Sequence, residues 1–245
     1  DESLMLKLTQ EIFGSEDPDM QREGTDEERM QFMMDFFMYF SQMTADRRAN
    51  PGDDVASVIA NAVIDGQPIG EMEALGYYVI VATAGHDTTS ASTAGGLLAL
   101  MQNPEQMNKL RNDLSLLPRA IEEMFRWETP VKHFLRTATE DYTLRGRSIK
   151  EGDRLMMMYA SGNRDEEVFN NPFEFQVDRR PNKQIAFGYG VHRCLGHLLA
   201  KMEMSAFYKA LLERTTDIQL NGDPAWIHAT FVSGLKRLPV RFIAR

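Results

Sequence analysis

The sequence predicts a mainly α fold with small antiparallel β-sheets, and three observations lead there. Apolar residues recur at helical spacing through roughly the first 130 residues, the signature of helices with one face on a core. From His133 onward the texture changes to short β-branched and aromatic runs, separated by the turns Arg145-Gly146 and Glu151-Gly152-Asp153. No internal repeat or low-complexity tract divides the 245 residues, so a single domain over 1–245 is the simplest organisation.

Taken in order, Leu4-Met5-Leu6-Lys7-Leu8 and the run from Met30 to Phe40 carry helical periodicity, with an acidic, polar loop over residues 14–28 between them. Pro51-Gly52-Asp53-Asp54 reads as a turn and cap before a short helix over residues 55–63, which Asp65-Gly66 and Pro68 bring to an end. One long helical pattern then runs over residues 70–101. Its centre, Leu75 to Ala84, is apolar on all sides, as expected of a helix buried in a large core. Asn103-Pro104-Glu105 opens another helix, and Pro118 opens one that ends near Trp127, with Pro130 beyond. Strands are expected over residues 133–139, 142–144 and 154–159, followed by a long irregular loop over 163–182. A helix over residues 198–212 and strands at 231–232 and 240–242 complete the chain.

Composition narrows the function. The 36 acidic residues outnumber the 27 basic ones, giving a net charge of −9, which argues against nucleic acid or an anionic membrane as the main partner. One cysteine excludes an internal disulfide framework and suits a reducing, cytoplasmic location. No apolar run approaches the ~20 residues that span a bilayer. The opening Asp1-Glu2-Ser3-Leu4 has neither a signal-peptide pattern nor the look of an initiator end, so a preceding segment is expected to be absent.

Three clusters break the local rules. Gly85, His86, Asp87, Thr88 and Thr89 interrupt the most apolar helix, where glycine costs about 1 kcal/mol against alanine and an unpaired buried carboxylate costs more. Such violations mark functional sites, the alternative being a kink that brings Asp87 to the surface. Glu123 and Arg126 share a helix face three residues apart, among Ile121, Met124 and Phe125. Arg179 would complete a buried charge network with them, unless the pair forms a solvated stripe with Glu122. Cys194, the third cluster, lies in Phe187-Gly188-Tyr189-Gly190-Val191-His192-Arg193-Cys194-Leu195-Gly196, whose glycines permit close approach to a flat ligand. A zinc site from His192, Cys194 and His197 lacks a second thiol and fits no familiar spacing, and a buried inert cysteine is the remaining alternative.

Together these clusters resemble the cytochrome P450 family of haem-thiolate monooxygenases. The segment Phe187 to Gly196 matches the family's Phe-Gly-x-Gly-x-His-x-Cys-x-Gly signature at every fixed position. Ala84-Gly85-His86-Asp87-Thr88 is similar to its oxygen-binding helix, and Glu123 with Arg126 to its Glu-x-x-Arg pair. Leu4 to Gln10, Ala84 to Ser90 and Asn163 to Phe169 look most like soluble bacterial members, especially the terpineol-hydroxylating group. Arg180, where an aromatic residue is frequent, and Gln184, where histidine is frequent, depart from the pattern. The chain corresponds to the C-terminal portion of the family's fold, so the family's early helices are expected to be missing.

The resemblance implies haem b (iron protoporphyrin IX) held by Cys194 as axial thiolate, within Phe187, Gly188 and Gly196. It implies His192 and Arg136 at the haem propionates, Ala84 and Gly85 on the opposite face, and Asp87 and Thr88 in oxygen activation and proton delivery. It further implies a substrate wall of Val81, Ala84, Val131, Phe134 and Phe231, suited to a small terpenoid or alkyl-aromatic, hydroxylated with O2. No flavin or nicotinamide fingerprint appears, so electrons would come from an iron-sulfur ferredoxin with its reductase. The basic run Arg179, Arg180, Lys183, Arg193 and Lys201 offers a docking face, or else a solvated one. A monomer is expected. The rival readings are a haem-binding protein or sensor without oxygenase turnover, and a helical interaction domain with a core cysteine.

Overall fold

The computed structural model describes residues 17–19 and 25–245, and its contacts divide the chain into two units, Asp1–His86 and Asp87–Arg245. The helix expected at residues 4–8 lies outside the described residues, as does most of the acidic segment 14–28. The end of that segment is not loop. Thr25 caps α1 (Asp26–Ala49), its side chain accepting from the Glu28 amide while the Glu28 carboxylate accepts from the Thr25 amide.

In the first unit, α1 places Phe32, Phe36 and Phe40 on one face at i, i+4, i+8, and these form a core with Ile59, Ile69, Ala74 and Tyr78. Phe40 stacks on Tyr78 with ring centroids 5.1 Å apart. Asp54 caps α2 (Val55–Ala60) by accepting from the Ser57 amide at 2.6 Å. That helix is shorter than expected. Val63–Ile64 (β1) and Gln67–Pro68 (β2) instead form a hairpin through Asp65 and Gly66, whose positive φ values of 50° and 76° suit a tight primed turn.

The long helical pattern of residues 70–101 divides into α3 (Glu71–Ala84) and α4 (Asp87–Gln102), with Gly85 and His86 between them. Nor is its apolar centre buried all round. α3 buries Ala74, Tyr78 and Thr83, while Met72, Tyr77, Ile80 and Val81 are exposed. An all-apolar run carries no periodic signal to say which face meets the core, and here one face does.

The second unit is built on α4, α5 (Pro104–Asn112), α6 (Leu117–Glu128) and α8 (His197–Arg214), whose core includes Leu100, Leu110, Ile121, Met124, Met204, Tyr208 and Leu212. Proline stands in the first turn of α5 and of α6, where its missing N–H is harmless. α4 meets α6 and α8 at Gly96, where an added Cβ would stand 2.7 Å from Met124 Cγ and 2.8 Å from Tyr208 Oη.

The second unit also holds four two-stranded antiparallel sheets. They pair β3 (His133–Thr137) with β6 (Arg154–Met158) and β4 (Tyr142–Leu144) with β5 (Arg147–Ile149). They also pair β7 (Thr215–Leu220) with β10 (Val240–Ala244), and β8 (Ala225–Trp226) with β9 (Leu235–Arg237). A four-residue helix, α7 (Tyr159–Gly162), follows β6. The strand expected at 231–232 is a single bridge, Val131 to Val232.

Candidate functional site

The site is built on a buried bracket. Glu123 and Arg126, both fully buried, face each other on α6 with Arg126 Nε and Nη2 each 2.7 Å from a Glu123 oxygen. Arg179 Nε reaches the same carboxylate at 3.0 and 3.1 Å, so the expected network closes. The Gln176 amide and Asn182 Nδ2 also donate to it. The Nη groups also bind backbone: Arg126 donates to Asn163 O, Pro172 O and Glu174 O, and Arg179 to Asn170 O, Asn171 O and Glu174 O. A buried ion pair offsets its desolvation only when its remaining hydrogen bonds are made, and here the irregular loop makes them. That loop is a scaffold fixed at its carbonyls.

Asn163, fully buried, passes this order to the cysteine segment. Its Nδ2 donates to Thr129 Oγ1 and its Oδ1 accepts from the Ile185 amide, both at 2.8 Å. Gln184 Nε2 donates to Glu122 and its Oε1 accepts from the Ala186 amide at 2.7 Å, so the unusual glutamine braces the approach to Phe187. Arg164 donates to Arg126 O and Trp127 O and lies 4.5 Å over the Trp127 ring; burial and the neighbouring Arg126 push its pKa down to about 10. Sequence reasoning missed the roles of Asn163, Asn182 and Gln184, because each closes a contact across more than thirty residues.

The cysteine segment is a closed loop. The Cys194 amide donates to Phe187 O at 2.8 Å and the Gly188 amide to Ile185 O at 2.8 Å. Gly188 has φ +69°, and a Cβ there would stand 3.2 Å from His192 O. Phe187 anchors one end against Phe125, with ring centroids 4.4 Å apart. The other end opens α8, at Gly196. The Cys194 thiol is exposed, flanked by exposed Val191 and Leu195. This overturns the inert buried cysteine. The zinc alternative also loses support: no group of three His, Cys, Asp or Glu among the described residues is arranged to hold a metal ion.

The other expected residues fall as follows. Asp87 and Thr88 occupy the first turn of α4, half-buried. Ser92 Oγ donates to Thr88 O and Thr93 Oγ1 to Thr89 O, both at 2.8 Å, bonds that compete with the helical ladder and favour a bend. Val131, Phe134 and Phe231 are brought together: the Phe134 and Phe231 rings meet edge to face at 5.2 Å, and the Lys132 amide donates to Phe231 O. Arg136 shares a strand face with Phe134, its guanidinium 5.9 Å over that ring, and donates to Leu135 O. His192 is exposed in the cysteine loop. Val81, Ala84 and Gly85 are exposed residues of the first unit.

A single exposed thiol on a glycine-bearing loop, rimmed by apolar side chains, fits one thiolate ligand to a metal whose other ligands come from a flat apolar group. The cytochrome P450 family model matches residues 21–223. The chain is 47% identical over 250 residues to the cytochrome P450-terp of a Pseudomonas species, covering 99% of this chain and 58% of that protein. It is 39% identical to a steroid C26-monooxygenase of Mycolicibacterium smegmatis, covering 89% of this chain and 56% of the relative. Among solved structures, a cytochrome P450 of Novosphingobium aromaticivorans superposes with a TM-score of 0.89 at 45% identity, covering 100% of this chain and 58% of that one. A Mycobacterium marinum cytochrome P450 in complex with pseudoionone gives a TM-score of 0.91 at 34% identity, with 99% and 59% covered. The chain therefore belongs to the cytochrome P450 family, whose members bind haem b and whose named relatives are monooxygenases and hydroxylases. It spans a little under three-fifths of the length of these relatives, 58% of the first. No helix among the described residues is long and apolar enough to cross a membrane.

Proposed function

We propose that the protein is a haem-thiolate monooxygenase acting on a small apolar substrate, with Cys194 as the axial ligand. One observation carries the reading: the exposed Cys194 thiol closes a loop that Asn163, Gln184 and Phe187 tie to the buried Glu123–Arg126–Arg179 bracket. In balance, a substrate C–H, O2, two electrons and two protons become C–OH and water. Haem, when bound through Cys194, supplies the reduction of O2 and the scission of its O–O bond.

The chain's own residues do the rest. The loop holds the thiol at a fixed position, and Phe187, Gly188 and Gly196 give a flat group room to approach it. Asp87 holds and passes protons beside the Thr88 hydroxyl, at a helix start whose amides favour a carboxylate. His192 and Arg136 are the cations for the propionates, and Ala84 and Gly85 keep the roles that the family likeness gives them. Val131, Phe134 and Phe231 form an apolar wall that suits a terpenoid or alkyl-aromatic; the relatives include cytochrome P450-terp and a pseudoionone complex.

Electrons would come from an iron-sulfur ferredoxin, in the cytoplasm, to a monomeric enzyme. The docking face needs revision from its sequence form. Arg179 is buried on Glu123 and Lys201 is paired with Glu122, which leaves exposed Arg180, Lys183 and Arg193, joined by Arg119. The test is the reduced carbon monoxide complex of the native protein supplied with haem. We expect the red-shifted Soret band of thiolate ligation, and its loss in Cys194→Ser. A band at the position of histidine-ligated haem, unchanged by the substitution, would sink the reading.

A further inference from the structure

A cavity of about 400 Å3 opens among Arg119, Arg180, Arg193, Lys201, Glu122 and Asn182, and no apolar side chain lines it. It is an open cleft with room for more than a lone ion. The polar lining sets it apart from the wall at Val131, Phe134 and Phe231.

Its charges do not cancel. The Glu122 carboxylate is engaged by Lys201 Nζ and by Gln184 Nε2. The guanidiniums of Arg180 and Arg193 make no hydrogen bond or ion pair among the described residues, and Arg119 feels Asp113 and Asp178 only at longer range. Each guanidinium carries five N–H donors in a planar fork that matches the spacing of two phosphate oxygens. Three such forks around one cavity, in a chain of net charge −9, make a local anion trap.

We propose that this cavity binds a phosphorylated small molecule of about nucleotide size, its phosphates on Arg119, Arg180 and Arg193. Several charge-assisted forks acting together favour a di- or triphosphate over a single phosphate. On the reading above, the ligand would cover the cations that an acidic ferredoxin needs, so its occupancy would slow electron delivery.

Calorimetry with ADP, pyrophosphate, inorganic phosphate and sulfate, at physiological ionic strength, tests the site on the native protein and on Cys194→Ser. We expect ADP and pyrophosphate to bind about tenfold or more tighter than phosphate or sulfate. Both Arg119→Gln and Arg180→Gln should weaken ADP about tenfold, with Arg119→Lys intermediate because a point charge replaces the fork. Equal binding in Cys194→Ser is expected, since the site needs no haem; failure of the haem reading therefore leaves this result standing. No heat with millimolar ADP, sulfate binding as tightly as ADP, or unchanged affinity in both glutamine variants would overturn the proposal.

Discussion

Two glutamates on one helix, five residues apart, live under opposite conditions. Glu123 is fully buried and surrounded by donors from Arg126, Arg179, the Gln176 amide and Asn182. Glu128, at the end of α6, is half-buried, and its carboxyl has no hydrogen-bond or ion-pair partner among the described residues. The nearby cations are turned elsewhere: Lys132 Nζ donates to Glu128 O and Thr129 O, and Arg164 to Arg126 O and Trp127 O. Burial therefore raises the Glu128 pKa, against smaller opposing effects of Lys132 and Arg164, and the same burial lowers that of Lys132. Depth alone does not decide whether a charge stabilises a fold; the donors around it do.

The largest expected effect follows from the saturated member. Glu123→Ala leaves two buried guanidiniums without their carboxylate and frees the loop that positions Cys194. A loss of about 3–5 kcal/mol is expected, read by urea denaturation. A loss below about 1 kcal/mol would mean that the loop carbonyls alone satisfy Arg126 and Arg179.

This contrast was half legible in the sequence. Glu123 and Arg126 announced themselves because charged residues stood among apolar ones, and the long irregular loop offered arginines, Arg179 among them, to pair. Glu128 and Lys132 gave no such signal: they flank Thr129-Pro130 at a helix end, where charges are ordinarily solvated. The Pro-initiated helices were readable from local chemistry, while the division at Gly85 and His86 was legible only as an interruption within one long helix over residues 70–101. The β1–β2 hairpin was not, since Asp65-Gly66 ends a helix and turns a hairpin equally well. Nor were β5, only three residues long, and β7, strands that their partners define. The cysteine loop was readable as a motif, while Asn163, its tie to the bracket, depends on contacts no local pattern contains.

A second change probes the unpaired member through the surface it rests on. Gly95 of α4 lies directly under the Glu128 carboxyl, so that a Cβ at Gly95 would overlap Oε2 and Cδ of Glu128. Gly95→Ala should therefore push aside the end of a flexible side chain, and after the helical gain of alanine over glycine a net loss of about 1 kcal/mol is expected. Combining it with Glu128→Ala should return most of that loss, which a double-mutant cycle measures. Additive losses would place the strain elsewhere on α4.

The smallest effect is the most discriminating. A group whose folded pKa is raised above its unfolded value adds stability that is fully present below the unfolded pKa and lost as pH rises through the folded one. Glu128 is such a group, so its acid form suits the fold and its anion opposes it. Glu128→Gln keeps the shape and the neutral state at every pH. The variant should match the native protein at pH 4 and exceed it by about 1 kcal/mol at pH 8, with the difference opening above the ordinary glutamate range. Urea midpoints across that span measure it. A difference that stays flat with pH would mean that Lys132 or Arg164 pairs with the ionised carboxylate in solution, and the two glutamates of α6 would then differ in the number of their partners and not in kind.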